Sequence, residues 1–182
     1  MNKINQNKSL IIRLLKTSDI LVIVDGFVKS NWTVKPAKLF EQYLDEQTKN
    51  ERVIWVAFFG ERFAGYVTLK WQSQYELFKL DNIPEIIDLN VLPYFREHGI
   101  ATALLDKCEE EAAKKSNIVG IGVGLYPDYG SAQRLYIKRG YIPNGMGATY
   151  SYKSVIPGDK YPIDDDLVLW FTKELNNHEN NK

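Results

Sequence analysis

The run from Pro84 to Ala101 constrains the fold more than any other stretch of the chain. An apolar, strand-like segment ends at Pro93, and Arg96-Glu97-His98-Gly99-Ile100-Ala101 then opens a helix. Beyond Gly99, residues Ile100, Leu104, Leu105, Cys108 and Ala112 recur at helical spacing, with Asp106, Lys107, Glu109 and Glu110 between them. The first backbone N–H groups of a helix have no partner within it, and the aligned peptide dipoles add partial positive charge there. Phosphate settles at such ends. Arg96 adds a fixed cation, and Gly99 lacks the Cβ that would hold a pyrophosphate away from the amides.

The elements around this turn follow from periodicity. Leu10 to Leu15 reads as a strand, and Thr17-Ser18-Asp19 offers capping side chains to a helix carrying Ile20, Leu21, Ile23, Val24, Phe27 and Val28. Pro36 precedes a second helix with Leu39, Phe40, Tyr43 and Leu44 on one face, closed by Asn50. Val53 to Phe59 and Arg62 to Trp71, joined by Gly60-Glu61, predict a hairpin. Trp71 to Leu80 reads as an irregular connection to a third strand, Ile83 to Val91. After the helix from Gly99 come a strand from Ile118 to Leu125, a helix from Ser131 to Arg139, and strands near Tyr141, near Tyr150 and from Leu167 to Thr172. This order predicts an α+β fold with a mixed, mostly antiparallel central sheet and helices on both faces. A ligand would lodge where parallel neighbours begin to part.

Charge and composition narrow the partners. Lys plus Arg equals Asp plus Glu at 23 each, so no overall field holds the chain on nucleic acid or an anionic membrane. A length of 182 residues with 45% hydrophobic content predicts one domain, taken as 10–175, between a polar extension (1–9) and a disordered polar tail (176–182). The apolar stretches are too short and interrupted for a signal sequence or membrane span, so a cytoplasmic protein is expected. The single cysteine excludes an internal disulfide framework, and without CxxC or clustered histidine no metal is expected.

A second motif lies about forty residues beyond the first: Ala132-Gln133-Arg134-Leu135-Tyr136-Ile137-Lys138-Arg139-Gly140-Tyr141. The pair resembles the GNAT superfamily of acyl-CoA-dependent N-acyltransferases, whose acetyl-CoA motif is Q/R-x-x-G-x-G/A and whose later helix carries A-x-x-L-Y-x-x-x-G-F/Y. The likeness extends more loosely over Leu10 to Leu175. It implies acetyl-CoA as co-substrate and an amine as acceptor, in a monomer or homodimer. It further implies that Arg96, Glu97, His98, Gly99, Ile100 and Ala101 surround the pyrophosphate, and that the strand ending at Val91 pairs with the pantetheine arm. In the family a bulge near Leu89 and Asn90 aims a backbone N–H at the thioester oxygen. Tyr136 takes the place of the tyrosine that protonates the departing thiolate, although an aromatic on an amphipathic helix is also a core residue. Many members carry asparagine seven residues before that tyrosine, where this chain has Tyr129.

An amine is protonated at neutral pH, so attack on a thioester needs a base or a water chain. Glu85, eleven residues before Arg96, occupies the place of the family's catalytic glutamate and is the first candidate; otherwise it is a solvated strand-edge charge. Asp88 is the second candidate, on the opposite face by strict alternation. Trp32 falls in the region that lines the family's acceptor site, and core packing explains it equally well.

The remaining features have plainer readings. Gly120, Gly122 and Gly124 leave one strand face bare, for tight packing or for the coenzyme. Leu125 stands where the third glycine of G-x-G-x-x-G belongs, which disfavours a dinucleotide fold. Cys108 lies on an apolar stripe and reads as a buried, inert thiol rather than a nucleophile. Asp164-Asp165-Asp166 reads as a solvated loop before a draw for cations, and His178 belongs to the tail. The expected activity is direct acetyl transfer to a primary amine of a small molecule. A peptide or protein amine, or a non-catalytic acyl-CoA sensor, is the alternative.

Overall fold

A computed structural model describes residues 9–175; the polar start, the Asn-rich tail and His178 lie outside the described residues. In chain order the elements are β1 (Leu10–Leu14), α1 (Ile20–Lys29), α2 (Ala37–Thr48), β2 (Arg52–Phe59), β3 (Arg62–Lys70), α3 (Glu76–Leu80), β4 (Glu85–Val91), α4 (Ile100–Ala112), β5 (Ile118–Gly124), α5 (Gly130–Lys138), β6 (Ile142–Tyr150), β7 (Lys153–Ser154) and β8 (Leu167–Glu174). The strands pair in the order β1-β2-β3-β4-β5-β8-β6-β7. β4 and β5 run parallel, whereas β1 with β2, β5 with β8, and β6 with both β8 and β7 are antiparallel. This is the mixed, mostly antiparallel α+β sheet expected from the sequence. No helix among the described residues is long and apolar enough to cross a membrane.

The chain forms two compact units, Met1–Leu69 with Asp88–Cys108, and Lys70–Ile87 with Glu109–Lys182. In the first, β1 and β2 pair from Leu10 opposite Phe59 to Leu14 opposite Trp55. Gly60, at φ 62°, begins the two-residue turn into β3. β3 is buried almost without interruption from Phe63 to Leu69, the pattern of a strand covered on both faces. Ile20, Ile23 and Phe27 of α1 and Phe40 and Tyr43 of α2 supply the helical side of this core. Asn50, at φ 58°, closes α2 as its position predicts. Thr17–Asp19 departs from expectation. It is a 3₁₀ turn, and Asp19 does not cap α1: its carboxylate accepts from the Arg13 guanidinium at 2.6 and 2.7 Å and from the Lys16 N–H at 2.9 Å.

In the second unit β5 and β8 pair along their whole length, Ile118 opposite Glu174 through Gly124 opposite Val168. The bare face of β5 is covered by protein. A Cβ on Gly120 would stand 2.0 Å from the Phe78 ring, one on Gly122 would stand 2.8 Å from Val168 and 3.0 Å from Trp170, and one on Gly124 would stand 2.5 Å from the Tyr129 ring. Tight packing therefore accounts for all three glycines. Phe78 comes from α3, a helix inside the segment expected to be irregular. Tyr75 stacks on Trp170 with centroids 4.4 Å apart, and Phe78 meets both rings edge-on. The strands expected near Tyr141 and Tyr150 are one strand, β6, whose register shifts between Pro143 and Ala148, where Gly145 and Gly147 take positive φ.

A partly buried ion cluster ties this unit together. Glu109 accepts from Arg139 at 2.8 and 3.1 Å, from Lys173 at 2.6 Å and from the Tyr141 hydroxyl at 3.0 Å. Burial pushes the Glu109 carboxyl pKa up, but the hydrogen bonds and charges of Arg139 and Lys173 outweigh it and hold the value below the ordinary glutamate range.

Candidate active site

The turn expected to take phosphate lies in the first unit. Pro93–Phe95 forms a 3₁₀ turn, Glu97 and Gly99 take positive φ of 64° and 75°, and α4 starts at Ile100. A Cβ built on Gly99 meets nothing within 4 Å, so the space over this glycine is open to an incoming group. The Ala103 N–H makes its helical bond back to Gly99 at 3.0 Å, which leaves the earlier amides of the first turn without intrahelical acceptors. Arg96 is exposed; its Nε donates to the Val91 carbonyl at 3.2 Å, and its guanidinium lies over the Trp32 ring at 5.0 Å. His98, also exposed, donates from Nδ1 to the Arg96 carbonyl at 2.6 Å and so braces the turn. A buried Ile100 anchors α4 beneath it, and Ala101 is half-buried. Basic charge, open amides and a bare glycine fit a diphosphate.

The strand feeding this turn is irregular where a bulge is expected. Asp88 takes φ 57°, a left-handed conformation inside β4 that interrupts the regular strand there. Beyond it, Leu89, Asn90 and Val91 are half-buried, and the Asn90 amide donates to the Asp88 carbonyl at 3.0 Å. β4 here lies so close to β3 that a Cβ on Gly65 would come within 2.4 Å of the Asn90 carbonyl oxygen. The Tyr43 hydroxyl donates to Asp88 Oδ2. Burial, together with the neighbouring carboxylate, drives the Tyr43 pKa well above that of a free phenol. Cys108 is fully buried, consistent with an inert thiol.

In the second unit Glu85 is only 3% exposed, so the solvated strand-edge reading does not hold. It stands opposite Gly120, and its Oε2 accepts from Ser73 Oγ at 2.5 Å, while the same Ser73 oxygen accepts from the Tyr75 N–H at 2.9 Å. Tyr136 is 5% exposed, with its ring tilted against Tyr141. Burial alone pushes its phenol above the ordinary value, so it keeps its proton throughout the neutral range. Tyr129, at the position where many GNAT members have asparagine, spends its ring on Gly124 and its hydroxyl on Asp165 at 2.9 Å. Asp165 also accepts from Tyr126, Asp164 from Tyr150 at 3.1 Å, and Asp166 from Ser151 at 3.1 Å. The acidic run thus pins its own loop.

A model of the acetyltransferase (GNAT) family matches residues 19–141. The chain belongs to the GNAT family. It is an acetyl-CoA-dependent acyltransferase by that membership. No curated protein sequence matches it. Among solved structures, yncA from Salmonella typhimurium, described with its cofactor acetyl-CoA, is 15% identical with a TM-score of 0.65 and covers 93% of this chain and 96% of its own. Arabidopsis thaliana NAA60 in complex with acetyl-CoA is 18% identical, with TM-score 0.65, over 92% and 99%. Ribosomal-protein-alanine N-acetyltransferase from Brucella melitensis is 20% identical, with TM-score 0.65, over 91% and 99%. At these identities the likeness is one of fold.

Two features of this GNAT chain escape sequence reading. The Tyr43–Asp88 pair joins residues 45 apart, and no local pattern announces it. Ser73, in a segment read as irregular, holds the carboxylate of Glu85. Its only sequence signal is a small hydroxyl residue among bulkier neighbours.

Proposed function

We propose that this acetyltransferase moves the acetyl group of acetyl-CoA to a primary amine of a small molecule by direct transfer. The observation that carries the reading is the turn at Gly99: positive φ, open space where a side chain would be, a helix N-terminus behind it and Arg96 beside it. Arg96 to Ala101 hold the pyrophosphate, and the backbone of Leu89, Asn90 and Val91 supplies the donor to the thioester oxygen. The left-handed Asp88 supports that role, since it turns the strand out of regular pairing at this point.

Chemistry requires that the amine lose a proton, form a C–N bond to the thioester carbon and release the sulfur. Freeing an alkyl amine at neutral pH costs roughly 4–5 kcal/mol, which is why a base is needed. Glu85 is the proposed acceptor of that proton, directly or through water; burial and the Ser73 hydrogen bond fix its carboxylate in one orientation. Tyr136 is the proposed donor to the departing thiolate, and its raised pKa keeps the hydrogen in place. Trp32 is proposed on the acceptor's route, where it already stacks with Arg96.

Thiol release from acetyl-CoA across a panel of small amines and peptide N-termini tests the reading. Turnover with small amines supports it, and turnover confined to peptides moves the acceptor to that class. Coenzyme binding with no release from any member of the panel would leave a sensor instead.

A further inference from the structure

A residue other than glycine at φ 57° carries a steric cost, and it persists where its surroundings hold it; Asp88 is such a residue. Two side chains hold it. The Asn90 amide donates to the Asp88 carbonyl at 3.0 Å, a bond internal to β4 that moves with the strand. The Tyr43 hydroxyl donates to Asp88 Oδ2, and this bond ties the same point of β4 to α2. A hydrogen bond to a charged carboxylate is strong enough to offset the cost of one left-handed residue.

Tyr43 is itself a fixed post. It is buried, the Arg52 guanidinium lies over its ring at 4.4 Å, and Phe40 meets the ring edge-on with centroids 6.1 Å apart. Arg52 is held in turn from two elements, its Nε by Glu46 of α2 at 2.5 Å and its Nη1 by Thr68 of β3 at 2.7 Å. α2, β2 and β3 thus converge on one phenol, and a phenol has a single proton to donate, here given to Asp88. Two residues further along β4, the backbone of β3 comes so close that a Cβ on Gly65 would stand 2.4 Å from the Asn90 carbonyl oxygen. The segment from Asp88 to Asn90 is therefore gripped at both ends, and all of these residues lie in the first unit.

We propose that Tyr43 is a positioning residue for acetyl transfer: through Asp88 it holds β4 in the turn that aims the backbone N–H groups of Leu89 to Val91 at the thioester oxygen. The inference rests on the transferase reading above and adds to it α2, an element with no residue in the chemistry assigned there. Tyr43 acts through Asp88 and not on either substrate. A backbone donor serves by being fixed before negative charge develops on the oxygen, so loosening it weakens the transition state more than the bound coenzyme.

The test compares variants of the full-length protein, using acetyl-CoA and the panel amine that the wild type turns over fastest. Tyr43→Phe removes the hydroxyl and keeps the ring under Arg52. Asp88→Gly removes the acceptor and keeps the left-handed backbone, whereas Asp88→Asn keeps the backbone and an acceptor oxygen. Tyr43→Phe and Asp88→Gly are expected to lower kcat by about tenfold or more with KM for acetyl-CoA within about twofold, and the double variant to fall no further than the lower single. Asp88→Asn is expected to recover at least about threefold of the loss in Asp88→Gly. Tyr66→Phe, which deletes another buried phenol oxygen, one without a hydrogen-bond partner among the described residues, is the control and should keep the wild-type kcat. The proposal is overturned if Tyr43→Phe keeps the wild-type kcat, if Tyr66→Phe falls as far, or if Asp88→Asn loses as much as Asp88→Gly, which would make the charge and not the tether the active feature. Should Tyr43→Phe fail to fold, the two Asp88 variants decide.

The infrared carbonyl band of bound acetyl-CoA, isotopically labelled at the acetyl carbonyl, reads the donor without turnover. In the wild type it should lie below the band of free acetyl-CoA, and in Tyr43→Phe and Asp88→Gly it should return toward the free value. That pattern in a protein that releases no thiol upholds the tether while the transferase reading fails. A band that is the same in wild type and variants, or a wild type with no lowered band, overturns the tether.

Discussion

The ring of Phe78 occupies the space over Gly120, approaching to 2.0 Å of where a Cβ would be. A ring wedged edge-on against both Tyr75 and Trp170 has little freedom to retreat. Gly120→Ala is therefore expected to destabilise the protein by about 3 kcal/mol or more, the upper range for overpacking. Denaturant unfolding monitored by tryptophan fluorescence measures it, and a loss below about 1 kcal/mol would mean that the aromatic layer yields easily.

Gly65→Ala presses on a different place. Its Cβ would meet the Asn90 carbonyl oxygen at 2.4 Å and Val91 Cα at 3.1 Å, so β4 must shift in the segment proposed to contact the thioester. The expected result is a loss of about 1–3 kcal/mol in stability and a fall in kcat/KM for acetyl-CoA of at least about tenfold. Steady-state kinetics on the folded variant reads the second quantity.

Tyr136→Phe is expected to lower kcat by about 100-fold while leaving acetyl-CoA affinity unchanged, because the hydroxyl is assigned to the leaving thiolate rather than to binding. Glu85→Gln should cost a similar factor. With the Tyr136 phenol held above its ordinary pKa by burial, the wild-type profile should show no loss from this group up to about pH 10. Both role assignments fail if each variant keeps the wild-type rate and pH dependence.

Glu109 gives the fold a pH signature. Its folded pKa is lowered overall, so the stability it contributes is present above the unfolded value, about 4.3, and is lost as pH falls through the lower folded value. Glu109→Gln leaves the partly buried Arg139 and Lys173 without their anion and should cost about 1–3 kcal/mol near neutrality. The gap between variant and wild-type Tm should narrow as pH falls below about 4. A gap that stays constant down to about pH 3 would contradict the assignment.

Most of the fold was legible because its elements carry strong periodicity. Ile100, Leu104, Leu105 and Cys108 mark the buried face of α4, and all four are at most 1% exposed. Gly60 and Asn50 stand at positive φ where turn chemistry predicts them. What escaped was short or tertiary. α3 spans five residues, too few to show a helical repeat, and it exists to place Phe78 on Gly120. The irregularity of β6 arises from glycines that local patterning does not distinguish from loop residues. At the site, the positive-φ turn before α4 was readable because its glycine and arginine are contiguous with the start of the helix. The surroundings of Glu85 and Asp88 were not, because Ser73 and Tyr43 reach them from other elements.

Titrating acetyl-CoA into the full-length protein in a calorimeter, beside Gly99→Ala, is the most direct test of the turn. Alanine at φ 75° costs roughly 1–2 kcal/mol of backbone strain but meets no protein atom within 4 Å, so the variant should stay folded. Its methyl group projects into the space assigned to the pyrophosphate. Saturable binding by the wild type, weakened about tenfold or more in Gly99→Ala, is the predicted result. No heat from acetyl-CoA in the wild type, or equal affinity in both proteins, would contradict it.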